Sequence, residues 1–294
     1  MASDLELSAM RQAITLSALG LGTTSPNPPV GCVILSQHGA VVGAGFHRRK
    51  GEPHAEAHAL KAAGDAARGG TAVVTLEPCN HVGVTPACRQ ELIKAGISRV
   101  VIAVMDPTSR GEGGASTLAA ASVEVETDVL RDEALTVLEP WLTATLRRRP
   151  YLTWAFAMDS DHQSAMEEQL LLGLRAHADL VLAGNTLHEG IPGGHASAHF
   201  ALPGDVDISG GLSQWLPAAY EGGARSVLIL GLQHAVALRP DLNAVDELVV
   251  AVPRTDLSRA LEVVHPDLMP IGFRLVEVTA HEYGLTARMR SFRV

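Results

Sequence analysis

Three side chains constrain what this chain can fold into more than any other feature. His54 opens the run His54-Ala55-Glu56, Cys79 closes Pro78-Cys79, and Cys88 follows nine positions later. One imidazole and two thiolates suit Zn²⁺, but only if distant parts of the chain are folded onto one point. Three protein ligands leave a fourth position for water. A carboxylate two residues from the histidine, Glu56, supplies a group that takes and returns protons.

The segments around these residues read as alternating helices and strands. Residues 4–19 are predicted helical, capped at Ser3, with the stop at Gly20 or Gly22. Residues 23–31, rich in proline, form a rigid loop leading to a strand at Val30–Leu35, a turn at 37–40 and a second strand at Val41–Ala44. Residues 54–66 form an alanine-rich helix entered from Pro53, so the histidine opens that helix. Thr71–Leu76 is a buried strand that delivers Pro78-Cys79, and Val100–Val104 is another, stopped by Asp106-Pro107. Gly111–Gly114 leads through a short helix to a strand at Val123–Val125, and a longer helix covers 128–146. A boundary near Arg147–Pro150 divides the chain into domains at 1–146 and 147–294. Beyond it, strands are predicted at Tyr151–Ala157, Ala178–Ala183, Ser226–Leu230, Glu247–Val252 and Phe273–Val278. Helices are predicted near 166–176, 212–220 and 256–264, and 188–211 reads as a mobile loop. The order implies two α/β domains.

Composition excludes several classes of function. A hydrophobic content of 47% in 294 residues supports substantial cores, yet no uninterrupted apolar run reaches the roughly 18 residues of a membrane span. The first residues carry acids ahead of their apolar positions and do not read as a secretory signal. Three cysteines fit a reducing, cytoplasmic setting and no disulfide framework. A net charge of −9 argues against a nucleic-acid partner, and the basic run Arg147–Arg149 is read as a solvated linker.

The order H-x-E, then P-C and a further cysteine, is the signature of zinc deaminases acting on nucleobase-like rings. A metal with an open position lowers the pKa of water towards about 7, and Glu56 would shuttle a proton from that water to departing ammonia. A structural zinc knuckle normally uses four protein ligands. No fourth cysteine suits that role, because Cys32 lies in an apolar strand; His81 would close the site, and is read here as a polar group lining a pocket.

The wider pattern resembles the bifunctional riboflavin-biosynthesis deaminase/reductase family. The resemblance is carried by residues 23–31 (TTSPNPPVG), Gly45-Phe46-His47, His54-Ala55-Glu56, residues 75–81 (TLEPCNH), Gly83, Thr85-Pro86, Cys88 and Asp106-Pro107. Eight residues separate the two cysteines, where related nucleobase deaminases usually have two. The resemblance implies a cytidine-deaminase-like three-layer domain with zinc on His54, Cys79 and Cys88 and the proton shuttle on Glu56. It matches Asn27, His47 and His81 to positions contacting the pyrimidine or ribose. It implies deamination of 2,5-diamino-6-ribosylamino-4(3H)-pyrimidinone 5′-phosphate by a cytoplasmic homodimer or homotetramer. One position departs: Val84 stands where the family usually has a phosphate-binding Lys or Arg, so either Arg48, Arg49 or Lys50 replaces it or the substrate is a related unphosphorylated or secondary-metabolic pyrimidine.

The second half resembles the family's NADPH-dependent reductase, a shortened dihydrofolate-reductase-like α/β domain, through Arg149–Trp154, Arg175-Ala176 and Asp179–Leu182. Its functional positions are lost. Ala155 replaces a lysine, residues 159–162 (DSDH) replace Ser-Leu-Asp-Gly, Gly184-Asn185-Thr186 shortens a glycine turn, and Leu230-Gly231-Leu232 replaces Glu-Gly-Gly. Glycines in such turns let backbone amides approach the cofactor's phosphates. No residue is therefore assigned to NADPH, and the domain is expected to keep its fold without hydride transfer. Two other outcomes follow from other weightings: an active bifunctional enzyme, or a non-catalytic zinc protein serving as an assembly partner.

Overall fold

The computed structural model describes residues 1–80, 87–108, 113–157, 166, 168–184, 186–195, 212–231, 243–253, 272–281 and 284–291. The chain separates into two compact units, Met1–Leu146 and Arg147–Val294.

The first unit opens with helix α1 (Asp4–Ala18). Ser3 caps it: its hydroxyl accepts from the Glu6 amide, and the Glu6 carboxylate accepts from the Ser3 amide in return. A five-stranded sheet follows, made of β1 (Gly31–Leu35), β2 (Val41–Phe46), β3 (Thr71–Leu76), β4 (Arg99–Val104) and β5 (Glu124–Glu126) in the order β2-β1-β3-β4-β5. Strand β1 is antiparallel to both neighbours, while β3, β4 and β5 are parallel. Strands β2, β3 and β4 therefore finish at the same edge of the sheet, and β1 starts there.

Glycines show which face each helix covers. A Cβ on Gly31 would lie 2.0 Å from the Ala13 carbonyl oxygen of α1. A Cβ on Gly43 would lie 2.2 Å from the Ala59 carbonyl oxygen, on helix α2 (Ala55–Ala63). Gly43 pairs with Ile34, an odd number of positions from Gly31, so the two glycines face opposite sides of the pleated sheet. Helices α1 and α2 thus sandwich the sheet in three layers. The small residues let helix backbone lie against strand backbone, and Cys32, Val33, Ile34, Val73, Val74, Val101 and Ile102 are sealed between them. Helices α3 (Cys88–Ala95), α4 (Gly114–Ala120) and α5 (Arg131–Arg147) complete the unit.

The second unit contains a seven-stranded mixed sheet. In chain order its strands are β6 (Tyr151–Ala157), β7 (Leu180–Ala183), β8 (Thr186–Glu189), β9 (Ser226–Leu230), β10 (Glu247–Pro253), β11 (Phe273–His281) and β12 (Gly284–Ser291). They are arranged β11-β12-β10-β6-β9-β7-β8, with β6, β7, β9 and β10 parallel. Helices α6 (Glu168–His177) and α7 (Leu212–Glu221) belong to this unit. Its first strand is pinned by Asp246, 3% exposed, whose carboxylate accepts from Arg147, from both terminal nitrogens of Arg149 and from the Leu152 amide.

Several sequence expectations need correction here. Of the loop expected over 188–211, residues 196–211 lie outside the described residues, and its first two residues instead end β8, which pairs with β7 from Leu180↔Glu189 to Ala183↔Thr186. His195 beyond it is buried against the Asp179 carboxylate at 3.2 Å, so this stretch is anchored by tertiary contacts invisible in composition. Strand β12 is unanticipated: its Arg288 and Arg290 interrupt the apolar run, and they find Glu247 and Glu277 on the neighbouring strands. Strand β11 extends past the expected Val278 because its pairing with β12 continues to His281↔Gly284. The expected helix at 256–264 lies outside the described residues.

Candidate active site

The shared edge of the first sheet gathers the singled-out residues. Asn27, Pro28 and Val30 lead into β1, His47 follows β2, Leu76 ends β3 with Glu77 and Cys79 just beyond it, and Asp106 follows β4. With His54 and Glu56 from the start of α2 they line a cavity of about 80 Å³. His54 is the residue before α2, in extended conformation after Pro53, and Cys88 is the first residue of α3. Both helix N-termini carry partial positive charge towards this point, which favours thiolate and carboxylate.

His54 Nδ1 lies 3.2 Å from Cys88 Sγ and 3.7 Å from Cys79 Sγ, and one ligand atom from each residue falls within 4.8 Å of the others. A tetrahedral zinc with ordinary bond lengths spaces nitrogen and sulfur ligands roughly 3.5–3.8 Å apart, so the three donors fit that ion. Among the described residues no fourth His, Cys, Asp or Glu joins the group. Cys32, the third cysteine, is fully buried in β1 opposite Val74 and belongs to the core.

The metal-free electrostatics follow from packing. The Cys88 thiol and the Cys88 amide both donate to Cys79 Sγ, holding the Cys79 thiol down at about 4. Cys88 is held well above the ordinary thiol range by its donation to Cys79 and by burial. His54 is raised chiefly by its hydrogen bond with Cys79. Glu56, 3% exposed, is pushed up to about 6 by burial, opposed by His54 and reinforced by the Cys79 charge. His47, 2% exposed, is pushed down to about 4 by burial, with His54 and His58 adding to the effect. Its ring stays neutral at physiological pH and meets the His54 ring edge-on, with 5.3 Å between centroids.

The structure brings Asn27, His47, His54, Glu56 and Cys79 to one cavity, with Cys88 bonded to two of them. Arg48, Arg49 and Lys50 follow His47 before α2 and are not among the residues lining the cavity; the Arg48 guanidinium sits over the Phe46 ring. His81 and Val84 lie outside the described residues. Two charged lining residues, Glu77 and Asp106, had no role assigned from sequence. Glu77, 5% exposed, accepts from the Ala115 amide at 2.9 Å and the Asp106 amide at 3.3 Å, tying the end of β3 to β4 and α4. Asp106 accepts from the Thr108 amide. A charged residue directly after an apolar strand and two residues before the cysteine was the available signal for Glu77.

Comparison with known proteins agrees with this geometry. The family described as "Cytidine and deoxycytidylate deaminase zinc-binding region" matches residues 4–104. The diaminohydroxyphosphoribosylamino-pyrimidine deaminase of Buchnera aphidicola is 51% identical over 126 residues, covering 42% of this chain and 85% of that protein. Riboflavin biosynthesis protein RibD of Escherichia coli is 41% identical over 177 residues, covering 59% of this chain and 48% of that protein. The chain spans about half the length of the RibD relatives it matches in sequence. A solved structure of Acinetobacter baumannii RibD superposes with a TM-score of 0.75 at 25% identity, covering 98% of this chain and 99% of that one. The fold is therefore a cytidine-deaminase-like zinc-binding unit followed by a mixed-sheet α/β unit of the RibD type. No helix among the described residues is long and apolar enough to cross a membrane.

Proposed function

The chain belongs to the riboflavin-biosynthesis deaminase family, and from that membership we propose that it hydrolytically deaminates 2,5-diamino-6-ribosylamino-4(3H)-pyrimidinone 5′-phosphate. The observation that carries the reading is the three-donor group of His54, Cys79 and Cys88 with a buried carboxylate, Glu56, on the same cavity. We assign the metal to those three residues and proton transfer to Glu56. When bound, zinc supplies a Lewis acid that lowers the pKa of water from 15.7 towards about 7.

The chain's own groups do the rest. Water adds to the ring carbon bearing the exocyclic amine, the carbon–nitrogen bond breaks, and a carbonyl and ammonia result. Glu56, pushed up to about 6 by burial before a metal binds, is ionised at neutral pH and would take the water proton and deliver it to the departing nitrogen. Burial excludes bulk water from this transfer.

The unit Met1–Leu146 is assigned to the deaminase, and Arg147–Val294 to a packing or assembly role without hydride transfer. Ala155 supports the second assignment: where the reductase carries lysine, this side chain is fully buried against Leu174, Ala178, Val181, Leu228 and Val249. Strand β11 supports a homo-oligomer, because Leu275, Val276 and Val278 are exposed on the outermost strand of the sheet. Three free cysteines support the reading of a cytoplasmic location.

The test incubates zinc-loaded protein with the phosphorylated pyrimidine and follows ammonia release and NADPH consumption in parallel. Ammonia without NADPH consumption is expected. Val84 favours a second reading, an unphosphorylated pyrimidine held without a phosphate clamp. Faster turnover of the dephosphorylated substrate would establish it over the first.

A further inference from the structure

Asn27 and His47 both line the cavity, and family resemblance matches both to substrate contacts. Their hydrogen bonds separate the roles. His47 Nδ1 lies 3.2 Å from the Pro53 carbonyl oxygen, and His47 Nε2 lies 3.2 Å from Asn27 Nδ2. A carbonyl oxygen only accepts, so Nδ1 carries a proton and donates to Pro53. An amide nitrogen only donates, so Nε2, which faces Asn27 Nδ2, is the acceptor of that pair. The asparagine side chain has one donor group, its NH₂, which leaves Oδ1 turned away from His47. The opposite amide orientation would set two acceptors face to face at a part-buried contact.

We propose that His47 is a positioning residue that fixes the Asn27 amide so that Oδ1 faces the cavity as an acceptor for a hydrogen-bond donor on the substrate, a ring N–H or a sugar hydroxyl. The relay begins at Pro53, the residue before His54, so the acceptor is set relative to the ligand-bearing start of α2. His47 then acts through Asn27 and makes no independent contact with the substrate. The inference rests on the deaminase reading for its kinetic test but not for its spectroscopic one.

The kinetic test is a double-mutant cycle on zinc-loaded protein with H47F, N27A and the pair. Each single variant is expected to lower kcat/KM on the order of tenfold, mainly through KM, as loss of one neutral hydrogen bond does. The double variant should be no worse than N27A alone. Multiplying losses, near a hundredfold in the pair, would show that His47 touches the substrate itself and would overturn the proposal. Ring-N-methylated and 2′-deoxy substrates separate the two donors, since the N27A penalty disappears with the analogue lacking the right one. A penalty unchanged with both would also overturn it. If H47F loses zinc or folding, long-range ¹H–¹⁵N spectra of the wild-type protein decide the matter. They should show His47 protonated at Nδ1 and bare at Nε2. A proton on Nε2 would refute the relay, whether or not the protein deaminates anything.

Discussion

Glutamine at position 56 separates what Glu56 does for chemistry from what it costs the fold. The side chain is 3% exposed, and burial pushes its carboxyl from 4.5 to about 6 in the metal-free protein. A folded pKa above the unfolded value means the neutral acid is favoured by folding. No penalty exists below pH 4.5, where both states are protonated; it grows as pH rises through 6 and is constant above. A difference of about 1.5 in pKa, at 1.36 kcal/mol each, makes the ionised carboxylate cost about 2 kcal/mol. Glu56→Gln has the same shape and no charge at any pH. The metal-free variant should therefore be more stable than metal-free wild type by about 2 kcal/mol at pH 8, with the gap closing below pH 4.5. Urea denaturation of both apoproteins across that range measures it. With zinc bound, the same variant should retain one metal per chain and lose on the order of 10²- to 10⁴-fold in ammonia release, the usual worth of a positioned acid–base group. The positive metal favours the carboxylate, so the acid limb of the wild-type rate should lie at or below pH 6 and vanish in the variant. A stability difference that ignores pH, or a variant keeping more than a tenth of the activity, would refute the reasoning.

Cys88→Ser should abolish stoichiometric zinc retention after dialysis against a mild chelator, measured by elemental analysis, while Cys32→Ser leaves the zinc content unchanged because Cys32 is a core residue. Gly31→Ala places a methyl 2.0 Å from the Ala13 carbonyl oxygen, and α1 must back away. A loss of about 1–3 kcal/mol or more is expected in chemical denaturation of the full chain. Asp246→Ala leaves Arg147 and Arg149 without their shared carboxylate and the buried Leu152 amide without its acceptor, which should cost about 3–5 kcal/mol and lower the thermal midpoint.

What was legible in the sequence had a local cause. Thr71–Leu76 and Tyr151–Ala157 are apolar runs bounded by turn residues, and both are strands with those bounds. The Ser3 cap, read from sequence and completed by Glu6 in the structure, is likewise a matter of four neighbouring residues. Strands β8 and β12 escaped because their stability is non-local: β8 is a four-residue outer strand, and the arginines of β12 need carboxylates from other strands. The gathering of His54, Cys79 and Cys88 was legible because metal chemistry demands convergence whatever the path of the chain. The division of labour between Asn27 and His47 was not, since a motif records which residues stand near a substrate and not which atom of each is already engaged. The Pro53 carbonyl, contributed by a residue with no polar side chain, decides it. The same holds for Glu77: two residues before the cysteine in sequence, it spends its carboxylate on the Ala115 and Asp106 amides. Backbone groups, which sequence patterns do not display, therefore bind part of the polar lining of this cavity. The proposal of Glu56 for proton transfer rests instead on its place two residues from His54 on the same cavity, whereas Glu77 ties strand ends together.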